Sequence, residues 1–343
     1  MSSGKGTGHG PLGGFEPPPW LRHHHVQSIY PSLPLRRRRV EQQAAELRRC
    51  AREVVVDCGE GVRLLNLESR QETAGRPSAT RLAVLLHGWE GSANSLYLLS
   101  LGQHLFDAGY DVVRLNLRDH GDSHALNPEL FHSCRIAEVV GAVQAIHRRH
   151  PGKRLSLAGF SLGGNFSLRV GARAAAAGID IARIVAVSPV LDPEHTLARL
   201  ESGWVLYRAY FVLKWKRSLR KKRAAWPELY HSLDDILRLD NLTDMTDRLA
   251  CAYGGFASLP EYLRGYALVG DALEPLAGLR DLRARIITAA DDPIIPAVDL
   301  GRIARPPQLD ITCTPYGGHC GFYEGGASPT WLEHEIFASF ERP

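Results

Sequence analysis

A serine flanked by two glycines follows a short apolar strand pattern in the segment Leu157-Ala158-Gly159-Phe160-Ser161-Leu162-Gly163-Gly164. The segment matches G-x-S-x-G, and the residues after it are rich in Ala, Leu and Arg, which favours a helix. A serine held at a sharp strand-to-helix turn is presented as a nucleophile, so we predict that Ser161 is catalytic. Gly159 and Gly163 are expected to omit a Cβ where the helix packs on the strand. The alternative is a glycine-rich turn whose serine merely caps the helix.

A nucleophilic serine needs donors that stabilise an oxyanion. The first turn of the helix leaves backbone N–H groups unpaired, so the N–H of Leu162 is the predicted first donor. A second apolar strand pattern ends in His87-Gly88-Trp89. There Gly88 is expected to keep the turn open, and the N–H of Trp89 is the predicted second donor. His87 itself is expected to be structural.

The hydroxyl also needs a histidine base and an acid that holds the histidine. The expected chain order is serine, acid, histidine, and Asp292 and His319 follow Ser161 in that order, each just after a predicted strand. Taken alone, each is as readily a turn or surface residue. Asp291 competes with Asp292 for the orienting role. We prefer Asp292 and expect Asp291 to be supporting.

Strand and helix patterns alternate along most of the chain, which predicts an α/β fold with a mostly parallel, doubly wound, eight-stranded sheet. Ligands of such sheets gather at the carboxyl ends of the strands, where the three loops would meet. The alternation stops after the sixth strand. The predicted organisation is an N-terminal arm (1–52), a core (53–193 and 272–343) and a helical cap (194–271). Within the arm, the glycine-rich residues 1–14 predict a flexible start, Pro17-Pro18-Pro19-Trp20 predicts a stiff segment, and 41–52 predicts a short helix.

The 343 residues are 44% hydrophobic, enough for a large core. No apolar run reaches the length that spans a bilayer, and the start has no signal-peptide pattern, so we expect a cytoplasmic protein. The six cysteines lack metal or disulfide spacing. Neither a metal nor a cofactor is predicted. The polar residues Asp119, His120 and Asp122 are expected to brace the oxyanion turn.

Positive charge is concentrated in two segments. Residues 1–52 carry nine Lys and Arg against three acids, and residues 204–223 carry eight against none. The aromatic half of the second segment predicts a cap over an apolar acyl pocket. Its basic half, Lys214 to Arg223, is either a solvated helix face or a patch that contacts anionic lipid at the inner membrane or an anionic group of the substrate. No motif for nucleic-acid binding accompanies the charge.

These segments together resemble the α/β-hydrolase superfamily and, within it, the YheT-like group, which is related to the eukaryotic ABHD1, ABHD2 and ABHD3 esterases and phospholipases. The resemblance covers nearly the whole chain. Its most specific marks are Pro19-Trp20-Leu21-Arg22, Val26-Gln27-Ser28-Ile29, His87-Gly88-Trp89-Glu90-Gly91-Ser92, Gly159-Phe160-Ser161-Leu162-Gly163-Gly164-Asn165, Ser188-Pro189-Val190 and Gly317-Gly318-His319. It implies serine-dependent hydrolysis of carboxylic esters, soluble or lipid, through an acyl-enzyme without a cofactor.

Other functions stay open at this stage. A transferase or thioesterase would use the same triad, and a silent binding module would keep only the fold. The oligomeric state is not predicted.

Overall fold

The structure is a computed structural model that describes residues 14–326 and 329–342. The predicted flexible start lies, apart from its last residue, outside this part. The described residues form one sheet of eight strands: β1 (Ala51–Asp57), β2 (Arg63–Ser69), β3 (Arg81–Leu86), β4 (Asp111–Leu115), β5 (Arg154–Phe160), β6 (Ile181–Val187), β7 (Arg283–Ala289) and β8 (Leu309–Thr314).

The strand order is β1-β2-β4-β3-β5-β6-β7-β8. β2 runs antiparallel to both of its neighbours, and β3 to β8 are parallel to one another. This sheet confirms the predicted fold class. Strands such as β3 are apolar at consecutive positions because helices cover both faces of the sheet. Ala83 and Leu85 pack into one core cluster, whereas Leu82, Val84 and Leu86 pack into the other.

Thirteen α-helices lie in the described part of the chain: α1 (His24–Ile29), α2 (Pro34–Gln43), α3 (Ala45–Arg49), α4 (Leu96–Asp107), α5 (Ile136–Arg149), α6 (Leu162–Gly171), α7 (Pro193–Ser202), α8 (Val205–Ala225), α9 (Pro227–Tyr230), α10 (Asp234–Arg238), α11 (Leu242–Tyr253), α12 (Leu259–Arg264) and α13 (Trp331–Glu341). Helices α4 and α13 join one core cluster, and α5 and α6 join the other. Within the described ranges, no helix is both long and apolar enough to cross a membrane.

Six of these helices, α7 to α12, lie between β6 and β7, where the sequence predicts the cap. They share the core cluster of α5 and α6 through buried side chains such as Leu219, Leu242 and Met245. The longest, α8, also reaches the turn after β3, because the ring of Phe211 stacks on that of Trp89 with centroids 5.1 Å apart. The cap residues are therefore packed on the elements that carry the predicted site.

The arm differs from its predicted form at its C-terminal end. A single helix over 41–52 is wrong, because the helices are α2 and α3 and the last two residues already belong to β1. Pairing of Ala51 and Arg52 with the end of β2 wins over their helical tendency, since it extends the sheet by two residues. Between β7 and β8 the chain forms a 3₁₀ turn, Ala297–Gly301.

Candidate active site

The turn between β5 and α6 places Ser161 in a backbone conformation that L-residues rarely adopt, with φ 54° and ψ −118°. Both flanking glycines are required by close packing. A Cβ on Gly159 would lie 2.1 Å from the carbonyl oxygen of Gly163, and one on Gly163 would lie 2.4 Å from that of Leu86 in β3. The absence of these two Cβ atoms lets the helix begin directly against the strands, with Ser161 at the turn.

Three loops at the carboxyl ends of β5, β7 and β8 bring Ser161, Asp292 and His319 together. His319 Nε2 lies 3.0 Å from Ser161 Oγ, and His319 Nδ1 lies 2.9 Å from Asp292 Oδ2. With the ring proton on Nδ1, Nε2 accepts the serine hydroxyl proton. The other carboxylate oxygen of Asp292 accepts the N–H groups of Ile294 and Ile295, which fixes its orientation. The arrangement can take a proton from Ser161 and stabilise the resulting imidazolium.

The electrostatics of this group favour a charged imidazole. Burial alone lowers the pKa of His319, but the adjacent Asp292 carboxylate outweighs burial and holds the pKa well above 6.5. Asp292 is itself almost fully buried. A buried carboxylate at hydrogen-bond distance is what an imidazolium needs in a site of low polarity.

The turn after β3 lies directly beside the serine. A Cβ on Gly88 would stand 3.3 Å from Ser161 Cβ, so the glycine permits this close approach. Trp89 follows it, and Leu162 opens α6. Within the described chain neither N–H donates to a protein acceptor. Two backbone donors next to a nucleophile form the arrangement that binds an oxyanion.

Buried histidines support the turn after β3, where the sequence predicts the second oxyanion donor. His120 Nε2 accepts the N–H of Glu90, and His87 Nε2 accepts the N–H of Leu117. Burial lowers the pKa of His120 to about 4 and that of His87 to about 3, so both rings are neutral acceptors at pH 7. Asn116 Oδ1 accepts the N–H of Ala93 in the same turn. The role expected for His120 agrees with these contacts, whereas Asp122 is exposed and pairs with Lys221.

Two residues hold the loop that carries His319. Asp291 Oδ1 accepts the N–H of Gly318 at 2.9 Å, a supporting contact, while its neighbour Asp292 is the one that reaches the imidazole. Ser28 in α1 accepts the N–H of His319 at 2.8 Å. The sequence did not single out Ser28 for this contact. It was part of the family resemblance, and only chain folding brings it here.

Ser161 and His319 line a cavity of about 900 Å³ beneath α8. Aromatic rings form its wall on the cap side. Trp89 stacks on Phe211 and meets Trp215 edge-on, with ring centroids 5.0 Å apart in the second pair. Glu90 also lines the cavity, and burial raises its pKa to about 7, while Lys214 opposes the rise. This volume accommodates a ligand of drug or lipid-fragment size.

Helix α8 is tied to the candidate site by a buried ion pair that the sequence analysis missed. Lys222 Nζ donates to Asp119 Oδ1 at 2.7 Å and to the carbonyls of Asn127 and Glu129. The Lys222 side chain has no exposure. Asp119 precedes His120, so this ammonium joins α8 to the loop that braces the oxyanion turn. Lys222 is thus removed from the basic face that the sequence suggested for this segment.

One group of described residues has the donor types and spacing of a metal site: Asp192, His195 and Asp299. Arg302 already donates to both carboxylates, at 3.0 Å for Asp299 Oδ1, and His195 Nδ1 lies 2.8 Å from the same oxygen. A guanidinium bound this way makes the group an ion-pair cluster, and we assign no metal to it.

Comparison with known proteins places these features in a family. A family described as "alpha/beta hydrolase fold" matches residues 83–325. Mouse phospholipase ABHD3 is 24% identical over 255 residues, which cover 71% of this chain and 58% of the mouse protein. The putative esterase YheT of Escherichia coli K12 is 26% identical over 262 residues, 74% of each chain. The chain therefore spans little more than half of the mouse relative.

Solved structures share the fold. The Pyrococcus furiosus esterase Pf2001 superimposes with a TM-score of 0.55 at 16% identity, covering 87% of this chain and 91% of the esterase. The 2,6-dihydroxy-pseudo-oxynicotine hydrolase gives 0.57 at 14% identity, covering 93% and 78%. The family model matches most of the chain, the described residues form the predicted sheet, and YheT is among the relatives. This chain therefore belongs to the α/β-hydrolase fold family.

Proposed function

We propose that this protein hydrolyses carboxylic esters through an acyl-enzyme, with Ser161 as nucleophile. The observation that carries the proposal is the 3.0 Å contact between Ser161 Oγ and His319 Nε2, with Asp292 on the other ring nitrogen. A weak nucleophile next to a correctly oriented base is the requirement for covalent acyl transfer. The names of the relatives, an esterase and a phospholipase, support the same bond type.

In the first half of the reaction, Ser161 Oγ attacks the ester carbonyl carbon as its proton moves to His319 Nε2. The carbonyl oxygen becomes an oxyanion, which accepts hydrogen bonds from the N–H groups of Leu162 and Trp89. The tetrahedral intermediate then breaks its bond to the alkoxy oxygen. His319 gives the proton to that oxygen, the alcohol leaves, and the acyl group stays on Ser161.

In the second half, water gives a proton to His319 and attacks the acyl carbon. The bond to Ser161 Oγ breaks, the proton returns to that oxygen, and the carboxylic acid leaves. Asp292 holds the imidazole in its orientation throughout. The aromatic wall formed by Trp89, Phe211 and Trp215 suits the acyl chain, because apolar surface buried there leaves water.

Turnover of p-nitrophenyl acyl esters of increasing chain length tests the proposal. The wild-type protein should release p-nitrophenol and label with a fluorophosphonate, and Ser161→Ala should lower kcat by about a thousandfold or more without changing the unfolding midpoint. The matched control is Ser202→Ala, since Ser202 is exposed at the end of α7 and its hydroxyl donates to the carbonyl of Ala198. Full activity of the Ser161→Ala protein would contradict the assignment.

Two further measurements distinguish ester hydrolysis from acyl transfer and from a binding function without catalysis. Transfer of the acyl group to added alcohols or thiols in preference to water would identify a transferase. A wild-type protein that neither turns over any ester nor labels would be a binding module.

A further inference from the structure

The outward face of α8 carries a stripe of exposed side chains that changes from apolar to basic along the helix. Its residues recur at helical spacing, and those in the first half are apolar while those in the second half are basic: Leu206, Tyr210, Leu213, Arg217 and Arg220, the outer stripe. All five are exposed. Leu213 is 67% exposed, Tyr210 54% and Leu206 51%, among the largest exposed apolar groups of the described residues. The opposite face is buried at Tyr207, Val212, Leu219 and Lys222.

The basic half of the stripe consists of Arg217 and Arg220. Arg217 and Arg220 form no ion pair with any described residue. Their neighbours on α8 behave otherwise: Lys222 is buried against Asp119, Lys221 pairs with Asp122, and Arg223 pairs with Asp234. The basic side chains of this segment therefore fall into two groups. Lys221, Lys222 and Arg223 pair with acidic side chains of the protein, whereas Arg217 and Arg220 face outward without an ion pair among the described residues.

The stripe also borders the cavity of the candidate active site. Leu206, Tyr210 and Arg217 are exposed and at the same time line that cavity. Leu213 and Arg220 lie on the stripe outside the cavity wall. Whatever surface contacts the stripe would therefore lie at the edge of the opening that leads to Ser161.

We propose that the outer stripe docks on the surface of a bilayer that contains anionic lipid, and so presents the cavity to lipid. The inference rests on the proposed function, because presenting the cavity to lipid is useful only to an enzyme that hydrolyses lipid esters. The docking itself does not require turnover. Apolar side chains beside unpaired arginines match the acyl boundary and the phosphates of an anionic leaflet. Side chains at the cavity edge, Leu206 and Tyr210, would enter the headgroup region, so that an ester could pass into the cavity without crossing water.

Charge complementarity favours a bilayer over a second copy of the chain. Two stripes packed parallel would bring Arg217 and Arg220 against their own copies, which is repulsive. Two stripes packed antiparallel along their length would bury Leu206 and Tyr210 against the guanidinium groups of Arg220 and Arg217 without a hydrogen-bond acceptor, which is costly. An anionic bilayer supplies an apolar layer and a negative layer at once.

Vesicle co-sedimentation of the Ser161→Ala protein tests the docking, because this variant cannot alter the lipid. The vesicles are phosphatidylcholine alone and phosphatidylcholine with phosphatidylglycerol. We expect binding to the anionic vesicles that weakens with added salt, and weaker binding to the neutral ones. Leu213→Asp should lower the partition coefficient by about tenfold or more, and Arg220→Gln should lower it for anionic vesicles only.

The matched control is Val298→Asp, which places the same charge on an apolar residue that is 71% exposed outside the cap. It should bind vesicles like the parent protein. Circular dichroism and the unfolding midpoint verify that Leu213→Asp is folded. Equal binding by the Leu213→Asp and Val298→Asp proteins would overturn the proposal, as would a parent protein that binds no vesicles but forms a dimer that Leu213→Asp dissociates.

Because the sedimentation assay uses an inactive variant, the docking proposal and the proposed function are tested independently. Vesicle binding by a protein that hydrolyses no ester would support the docking surface and contradict the proposed function. Hydrolysis of soluble esters by a protein that does not bind vesicles would support the proposed function and contradict the docking surface.

Discussion

The hydroxyl of Ser28, in the N-terminal arm, accepts the backbone N–H of His319 at 2.8 Å and donates to the carbonyl of His24 at 2.8 Å. The arm and the histidine loop are separated by 291 residues, and Gln27 adds a second link by bonding both the N–H and the carbonyl of Tyr323. Helix α1 is therefore part of the support for the candidate base.

Removal of this hydroxyl should lower activity without unfolding the protein. Ser28→Ala leaves a partly buried N–H on His319 without its acceptor, a loss of about 1 to 3 kcal/mol. Because the loop can relax to recover part of it, we expect kcat/KM to fall by about tenfold, which corresponds to about 1.4 kcal/mol. Steady-state kinetics with a p-nitrophenyl ester measure the effect.

Ser202→Ala is the control, since Ser202 also donates to the carbonyl four residues earlier but contacts no site residue. An activity loss of the same size in both variants would show that the helical hydrogen bond, and not the link to His319, matters.

The pH dependence of kcat/KM should place the acidic limb above pH 6.5. The Asp292 carboxylate raises the pKa of His319 above that value, and only the neutral ring accepts a proton, so activity rises as pH rises through the raised pKa. Asp292→Asn removes the carboxylate, which should move the limb to lower pH and reduce kcat by about two to four orders of magnitude. A limb that stays in place would contradict the assignment of Asp292.

A second group titrates in the same cavity, so the limb needs its own control. Burial raises the pKa of Glu90 to about 7. Glu90→Gln cannot titrate and should leave the acidic limb where it is. Disappearance of the limb in this variant would assign it to Glu90 instead of His319.

The buried pair of Lys222 and Asp119 should matter for stability. Lys222→Met leaves the Asp119 carboxylate buried without its cation, and we expect the free energy of unfolding to fall by about 3 to 5 kcal/mol. Adding Asp119→Asn should recover part of the loss. Urea denaturation measures both, and Lys216→Met, on the same helix and free of ion pairs among the described residues, should lie within about 0.5 kcal/mol of wild type. A Lys222→Met protein as stable as that control would refute the anchoring role.

The oxyanion turn should weaken in acid. Burial lowers the pKa of His120 from 6.5 to about 4, so the unfolded chain binds this proton more readily than the folded chain. The contribution is fully present above pH 6.5 and is lost as pH falls toward 4, at about 1.4 kcal/mol per pH unit. His120→Gln retains an acceptor for Glu90 and should reduce this slope in urea titrations between pH 7 and pH 5. The exposed His231→Gln should not.

Much of the fold was readable because its signals are local. The strand before Ser161, the two glycines around it and the alternation of strand and helix patterns follow from steric and burial requirements between near neighbours in the chain. The predicted α/β class and the mostly parallel sheet are confirmed on this basis. Where local tendency and sheet pairing disagreed, at Ala51 and Arg52, pairing decided.

The sequence by itself determined the candidates: a serine at a strained turn, an acid and a histidine after later strands, and a glycine-tryptophan turn after an earlier one. The tertiary structure alone decided between adjacent residues and distant partners. Asp292 reaches the imidazole while Asp291 holds the loop, because two successive side chains of one turn point in different directions. Ser28 and Lys222 act on the site from the arm and the cap, since a hydrogen bond or a buried ion pair depends on distance in space, which spacing along the chain does not encode.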